Sequence, residues 1–107
     1  MTSSKTPEGK VKDKIKKILK AHDVYYAMPM GTGFGNAGVP DFLCCVQGYF
    51  IAIEAKANGG KTTALQDKNL ADIEKAGGVA LVIDENNIGE IEVHIQMAKS
   101  LTEVSYG

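Results

Sequence analysis

The alternation of hydrophobic and polar positions divides the chain into seven elements. Val11, Ile15, Ile18 and Leu19 recur at helical spacing and form one apolar stripe on a helix whose other face carries lysines. Thr6-Pro7-Glu8 reads as the start of that helix. Thr6 is the N-cap, Pro7 takes the first helical position, and Glu8 faces the positive end of the dipole. Val24 to Met28 is a short β-type run. Pro29 to Gly38 follows with four glycines in ten residues, a loop composition that lets backbone approach another group closely. Phe42 to Ile53 is then apolar except at Gln47-Gly48. This predicts a β-hairpin whose first strand starts at Asp41, whose turn is Gln47-Gly48, and whose second strand ends at Lys56.

Ala57 to Lys61 reads as a second loop, punctuated by Asn58-Gly59-Gly60. A helix is predicted from about Thr63 to Ala76, with Thr62 or Thr63 as cap and Gly77 as its stop. Its inner face combines Leu65, Gln66, Asn69, Leu70, Ile73 and Ala76. Val79 to Ile83 is apolar throughout, which predicts an interior strand. From Asn87 to Leu101, the spacing of Ile88, Ile91, Ile95, Ala98 and Leu101 predicts a helix, although Ile91-Glu92-Val93-His94-Ile95 also alternates as a strand would. The order α-β-β-β-α-β-α describes an α/β fold. A three-stranded meander is followed by a parallel crossover through a helix, giving a mixed four-stranded sheet flanked by helices.

Composition narrows the class. A chain of 107 residues makes one domain spanning 1–107. No apolar run approaches the roughly 20 residues of a membrane span, and the N-terminus lacks the apolar core of a signal peptide. These features lead to the expectation of an intracellular protein without a membrane partner. Cys44 and Cys45 lack metal-ligand spacing, point to opposite faces of one strand, and read as small buried residues. Net charge is −1, but all twelve basic residues are lysines and seven lie between Lys5 and Lys20. That segment is either a solvated helix face or a footprint for nucleic acid.

The candidate chemistry lies at the ends of the hairpin. Glu54 and Lys56 point to one side of their strand and Ala55 to the other. Antiparallel pairing brings Asp41 alongside, so two carboxylates and an ammonium meet at one end of a sheet. A hydrophobic hairpin has no structural need for such a cluster. Carboxylates are hard oxygen ligands suited to Mg²⁺ or Mn²⁺, and the Ala55 carbonyl offers another oxygen. Lys56 is placed to hold an attacking water or to steady charge on a phosphate, the set that phosphodiester hydrolysis requires. Gln66, in the first turn of the following helix, is either a boundary residue of the core or a further member of this cluster. Glu8 is either a carboxylate favoured by the helix dipole or part of the same chemistry.

Pro40-Asp41 followed by Glu54-Ala55-Lys56 resembles the PD-(D/E)XK nuclease signature. Gly38-Val39-Pro40-Asp41, the strand Phe50 to Lys56, Gln66 and Gly77-Gly78 before an apolar strand together resemble the VRR-Nuc (virus-type replication-repair nuclease) family, over roughly Glu8 to Ile83. The resemblance implies a restriction-endonuclease-like core of order αβββαβ and a Mg²⁺- or Mn²⁺-dependent deoxyribonuclease. Asp41, Glu54 and the Ala55 backbone carbonyl would bind metal, Lys56 would be catalytic, and Gln66 would assist. Glu8 matches an acidic residue near the start of the first helix in this family and in similar archaeal junction resolvases. It would therefore join the catalytic set, and the metal set as a further ligand. Such proteins act on branched or flapped DNA in repair, recombination or phage replication, so the resemblance further implies a branched-DNA partner such as a Holliday junction, a homodimer, and a microbial or phage source. The absence of arginine departs from an ordinary DNA-binding surface and leaves phosphate contacts to Lys and backbone amides.

Two other readings compete. Gly60-Lys61-Thr62 between a strand and a helix, with Val79 to Glu85 beyond, imitates a P-loop nucleotide-binding module, but Ala55 stands where its first glycine is required. A catalytically inactive DNA-binding domain of the same fold is the other. Gly31-Thr32-Gly33-Phe34-Gly35 matches no phosphate-loop spacing and reads as plain loop. Val93 and Met97 fall off the stripe of the final helix and offer apolar surface for pairing two copies.

Overall fold

In chain order the elements are α1 (Pro7–Ala21), β1 (Tyr25–Ala27), β2 (Phe42–Val46), β3 (Tyr49–Ala55), α2 (Ala64–Lys75), β4 (Val79–Ile83) and α3 (Glu90–Val104). The structure is a computed structural model and describes residues 5–30 and 37–104, the last two by backbone alone. The predicted order is obtained, and the ambiguous final segment is a helix. The Gly31 to Gly35 loop lies outside the described residues.

The sheet has the order β1-β2-β3-β4. β1 and β3 both pair with β2 antiparallel, and β3 pairs with β4 in parallel through α2. Gln47 (φ 52°) and Gly48 (φ 86°) form the hairpin turn, two successive left-handed residues that match the twist of the strands they join. Side-chain alternation then sorts β3. Ile51, Ile53 and Ala55 enter one continuous core with Phe42, Cys44 and Val46 of β2. Val11, Ile15 and Leu19 of α1 and Ile91, Ile95 and Ala98 of α3 close that core from above. Burial of each of these large aliphatic side chains contributes about 1.5–3 kcal/mol. Ala52 and Glu54 are equally inaccessible but project to the opposite face.

α1 starts as read, with Thr6 Oγ1 accepting from the Gly9 amide at 3.0 Å. α2 begins with a full capping box. Thr63 Oγ1 accepts from the Gln66 amide at 3.1 Å, and Gln66 Oε1 accepts from the Thr63 amide at 2.9 Å. At its other end, Gly77 (φ 101°) takes the left-handed position while the Gly78 amide returns to the Ile73 carbonyl at 2.9 Å.

Four expectations are corrected. β4 is an edge strand of the sheet rather than an interior one; only Leu81 and Ile83 are buried and Val82 is exposed. An all-apolar run does not by itself tell an edge strand from an interior one. The α2 face is only partly covered and no residue of that helix is fully buried, because α2 packs at the β4 margin rather than over the core. Cys45 is exposed, since it points away from the face that buries Cys44. Leu101 leaves the α3 stripe and is exposed with Val93 and Met97. Among the described residues no helix is long and apolar enough to cross a membrane.

Gly38 (φ 84°) ties the segment before β2 to α2: a Cβ there would stand 2.8 Å from the Leu65 backbone. Gly48 has nearly the same φ with nothing within 4 Å of a Cβ. Gly48→Ala is therefore expected to lose about 1 kcal/mol, the conformational cost alone. Gly38→Ala should lose roughly 2–3 kcal/mol, because the clash with immobile backbone adds to that cost. Urea unfolding of the two variants compares them, and equal losses would mean that the Gly38–Leu65 contact contributes nothing.

Candidate active site

The strand ladder brings the two hairpin carboxylates together. Phe42 pairs with Ile53, so the next rung of that register sets Asp41 beside Glu54. Asp41 and Lys56 fall one residue outside β2 and β3, which leaves their side chains at the end of the ladder rather than inside it. Asp41 Oδ2 accepts from the Ala55 amide at 2.8 Å. The Lys56 amide donates to the Ile83 carbonyl at 2.9 Å. Both strand ends are thereby held where the chemistry-bearing side chains leave them.

Glu54 is the one charged residue buried among the described residues, 3% exposed. Its Oε2 accepts from Gln66 Nε2 at 3.0 Å and lies 3.7 Å from Lys56 Nζ. Gln66 thus serves twice. Its carbonyl oxygen completes the α2 capping box and its amide nitrogen reaches Glu54, so the two contacts together set the orientation of the carboxamide. Burial pushes the Glu54 carboxyl up to about 7, the neighbouring Asp41 charge adds to the rise, and the Lys56 ammonium opposes it.

Glu8 joins this group through Lys12, one of the lysines that sequence alone leaves open between a solvated face and a nucleic-acid footprint. Lys12 Nζ lies 3.4 Å from Asp41 Oδ1 and 3.5 Å from Glu8 Oε2. Partial burial disfavours the Lys12 charge, but the charges of Asp41 and Glu8 outweigh it and hold the ammonium above the ordinary lysine pKa. The i,i+4 spacing of Glu8 and Lys12 was the one available signal. The Asp41 partner was invisible, because it comes from a different element. The structure therefore brings Asp41, Glu54, Lys56 and Gln66 together directly, and Glu8 by way of Lys12.

Among the described residues, no three of His, Cys, Asp and Glu gather into a ligand cluster. The donor set on offer is the Asp41–Glu54 pair with the Ala55 carbonyl on the same strand end. Two adjacent carboxylates, one of them desolvated and raised by the other's charge, fit a hard divalent cation with oxygen preference. The nucleotide-binding alternative loses its premise. Ala55 is fully buried and paired with Ile83 as the last residue of β3, so the loop a P-loop needs from that position is not formed.

No family model matches the chain, and no curated protein matches it. Solved structures do. One described as a "VRR_NUC domain protein" superposes with TM-score 0.68 at 21% identity, covering 88% of this chain and 92% of its own. A second, described as a "VRR_NUC domain", gives TM-score 0.64 at 19% identity and covers 92% of this chain and 97% of its own. The chain therefore has the α/β architecture of VRR_NUC domains, among the described residues a mixed four-stranded sheet flanked by three helices.

The raised Glu54 carboxyl has a consequence for stability. Its ordinary value is 4.5 and its folded value about 7, so between these the folded chain keeps a proton that the unfolded chain has lost. That contribution is fully present below 4.5 and is lost as pH rises through about 7. Glu54→Gln, which keeps an oxygen for Gln66, is expected to raise the melting temperature at pH 8 in metal-free buffer, with the gain fading toward pH 4.5. Melting curves across that range check this; a gain independent of pH would mean that Glu54 is ionised throughout.

Proposed function

We propose that the chain is a Mg²⁺- or Mn²⁺-dependent deoxyribonuclease that hydrolyses phosphodiester bonds in branched DNA. The observation that carries this reading is the convergence of Asp41, Glu54, Lys56 and Gln66 at one end of a sheet that has the VRR_NUC architecture. Asp41, Glu54 and the Ala55 carbonyl are the metal donors in this reading. When bound, the cation polarises the phosphoryl group and acidifies a water. The chain's own residues supply the rest. Gln66 holds the Glu54 carboxylate in a fixed orientation, and the Asp41–Ala55 bond holds the strand end that carries it. Lys56, 13% exposed along its side chain, donates to the attacking water or to a phosphate oxygen and offsets the charge that builds there.

Lysines provide a footprint for the DNA backbone. Lys10, Lys14 and Lys17 recur at helical spacing on α1, are exposed, and form no ion pair among the described residues. Lys10 and Lys14 also line a shallow cleft with Ala57 and Asn58, the residues that follow Lys56. Cationic side chains thus stand next to the strand end that bears the catalytic lysine. DNA as substrate fits an intracellular location.

The test is cleavage of linear, flap, splayed and four-way DNA with Mg²⁺ or Mn²⁺, with ATP hydrolysis as a control. Asp41→Ala and Glu54→Ala should each reduce cleavage by roughly 100-fold or more and remove Mn²⁺ binding measured by calorimetry. Lys56→Ala should reduce cleavage similarly while leaving Mn²⁺ binding nearly intact, because its ammonium serves the chemistry. Undiminished cleavage by Asp41→Ala would overturn the assignment.

A homodimer completes the reading. A net charge of −1 gives one copy a limited hold on phosphates, and two-fold symmetry suits the paired incisions of a four-way junction. The surface available is on α3, where Val93, Met97 and Leu101 are each more than half exposed and line an open apolar depression of about 650 Å³. Light scattering at micromolar concentration should show a dimer that Met97→Asp dissociates. A monomer that still makes symmetric incisions would refute the pairing.

A further inference from the structure

Lys12 has no part in the chemistry proposed above, yet its ammonium contacts a residue at the centre of it. Val11 and Ile15, its neighbours on α1, are buried at 3% and 0% exposure, so the helix cannot turn Lys12 away from the site as a body. Both Asp41 oxygens are engaged, Oδ2 by the Ala55 amide and Oδ1 by Lys12. The Ala55 amide is fixed in the sheet, between the Glu54–Val82 rung and the Lys56–Ile83 bond. The Lys12 ammonium sits at the end of a flexible four-carbon stem and has a second carboxylate, Glu8, within reach. A divalent cation held by Asp41 and Glu54 would stand within a few ångströms of that ammonium, where like charges repel strongly. Of the amide and the ammonium on Asp41, only the ammonium of Lys12 is free to yield.

We propose that Lys12 is the resident counter-cation of Asp41 in the metal-free chain, and that it competes with the divalent cation for that carboxylate. Glu8 is then a positioning residue rather than a ligand. It holds the ammonium at the rim of the site after Lys12 leaves Asp41, and so lowers the cost of its departure. This rests on the reading of Asp41 and Glu54 as metal donors. It assigns Glu8 a role that acts through Lys12.

Calorimetric titration of the DNA-free chain with Mn²⁺ alone tests it, with wild type, Lys12→Met, Lys12→Gln, Glu8→Gln, the Lys12→Met/Glu8→Gln pair and Asp41→Asn. Lys12→Met and Lys12→Gln are each expected to bind Mn²⁺ about five-fold more tightly, the size of one partly exposed ion pair. Glu8→Gln should weaken binding roughly three-fold in the wild-type background, because Lys12 then has Asp41 as its sole partner, and should change nothing in the Lys12→Met background. Circular dichroism verifies that each variant is folded, and the two neutral replacements guard against a fault particular to one of them. Unchanged or weaker Mn²⁺ binding in both neutral variants overturns the proposal. So does an equal loss from Glu8→Gln in both backgrounds, which would make Glu8 itself a ligand. In either case loss of binding in Asp41→Asn leaves the metal site standing, whereas a wild-type chain that binds no Mn²⁺ removes the site and the proposal together.

Discussion

The hydrogen bond from the Ala55 amide to Asp41 Oδ2 carries the site. It replaces a rung of the β2–β3 ladder with a side-chain contact, so the sheet ends in a carboxylate instead of in another backbone pair. On one side of this bond the apolar hairpin continues into the core, with Phe42 and Ile53 both at 0% exposure. On the other side the ladder stops, and Glu54, Lys56 and Asp41 are left at a polar boundary. A buried acid without partners would be costly. Here Glu54 has Gln66 on one side and Lys56 on the other, and its remaining strain is expressed as a raised pKa rather than as an unsatisfied atom. Among the described residues no buried side-chain polar atom lacks a hydrogen-bond partner.

α2 shows how little packing a site-bearing element needs. None of its residues is fully buried, and its weight in the core is small. What positions it is local and specific: the capping box at Thr63, the Gly38 backbone laid directly on Leu65, and the Gly77-Gly78 ending. These contacts lie at both ends of the helix and on the segment that leads into β2. They explain why Gln66 meets Glu54 although the helix as a whole sits at the margin of the sheet.

The lysines of the N-terminal segment divide into populations that composition alone treats as one. Lys12 turns inward to Asp41 and Glu8, and Lys5 and Lys16 pair with Asp13. Lys10, Lys14 and Lys17 remain exposed. The difference follows from the helix wheel: the buried stripe of Val11, Ile15 and Leu19 has two flanks, one facing Asp41 and the other facing Ala57 and Asn58 beyond the end of β3.

Sequence by itself determined the element order, the hairpin turn at Gln47-Gly48, the cap at Thr6, and the grouping of Asp41, Glu54 and Lys56, and it narrowed the α2 cap to Thr62 or Thr63. Each of these rests on periodicity or on turn and cap chemistry that acts over a few residues, and a two-residue hairpin turn propagates its register to the ends of both strands. The edge position of β4, the exposure of Cys45 and Leu101, and the partial covering of α2 were decided by tertiary structure. An apolar residue carries no mark of which layer will cover it, and among the described residues no further layer covers β4 and α2. Lys12 is the clearest case. Its neighbours in sequence make it one lysine among seven on a basic segment, and only the approach of α1 to the end of the β2–β3 ladder, driven by burial of Val11 and Ile15, sets its ammonium against Asp41.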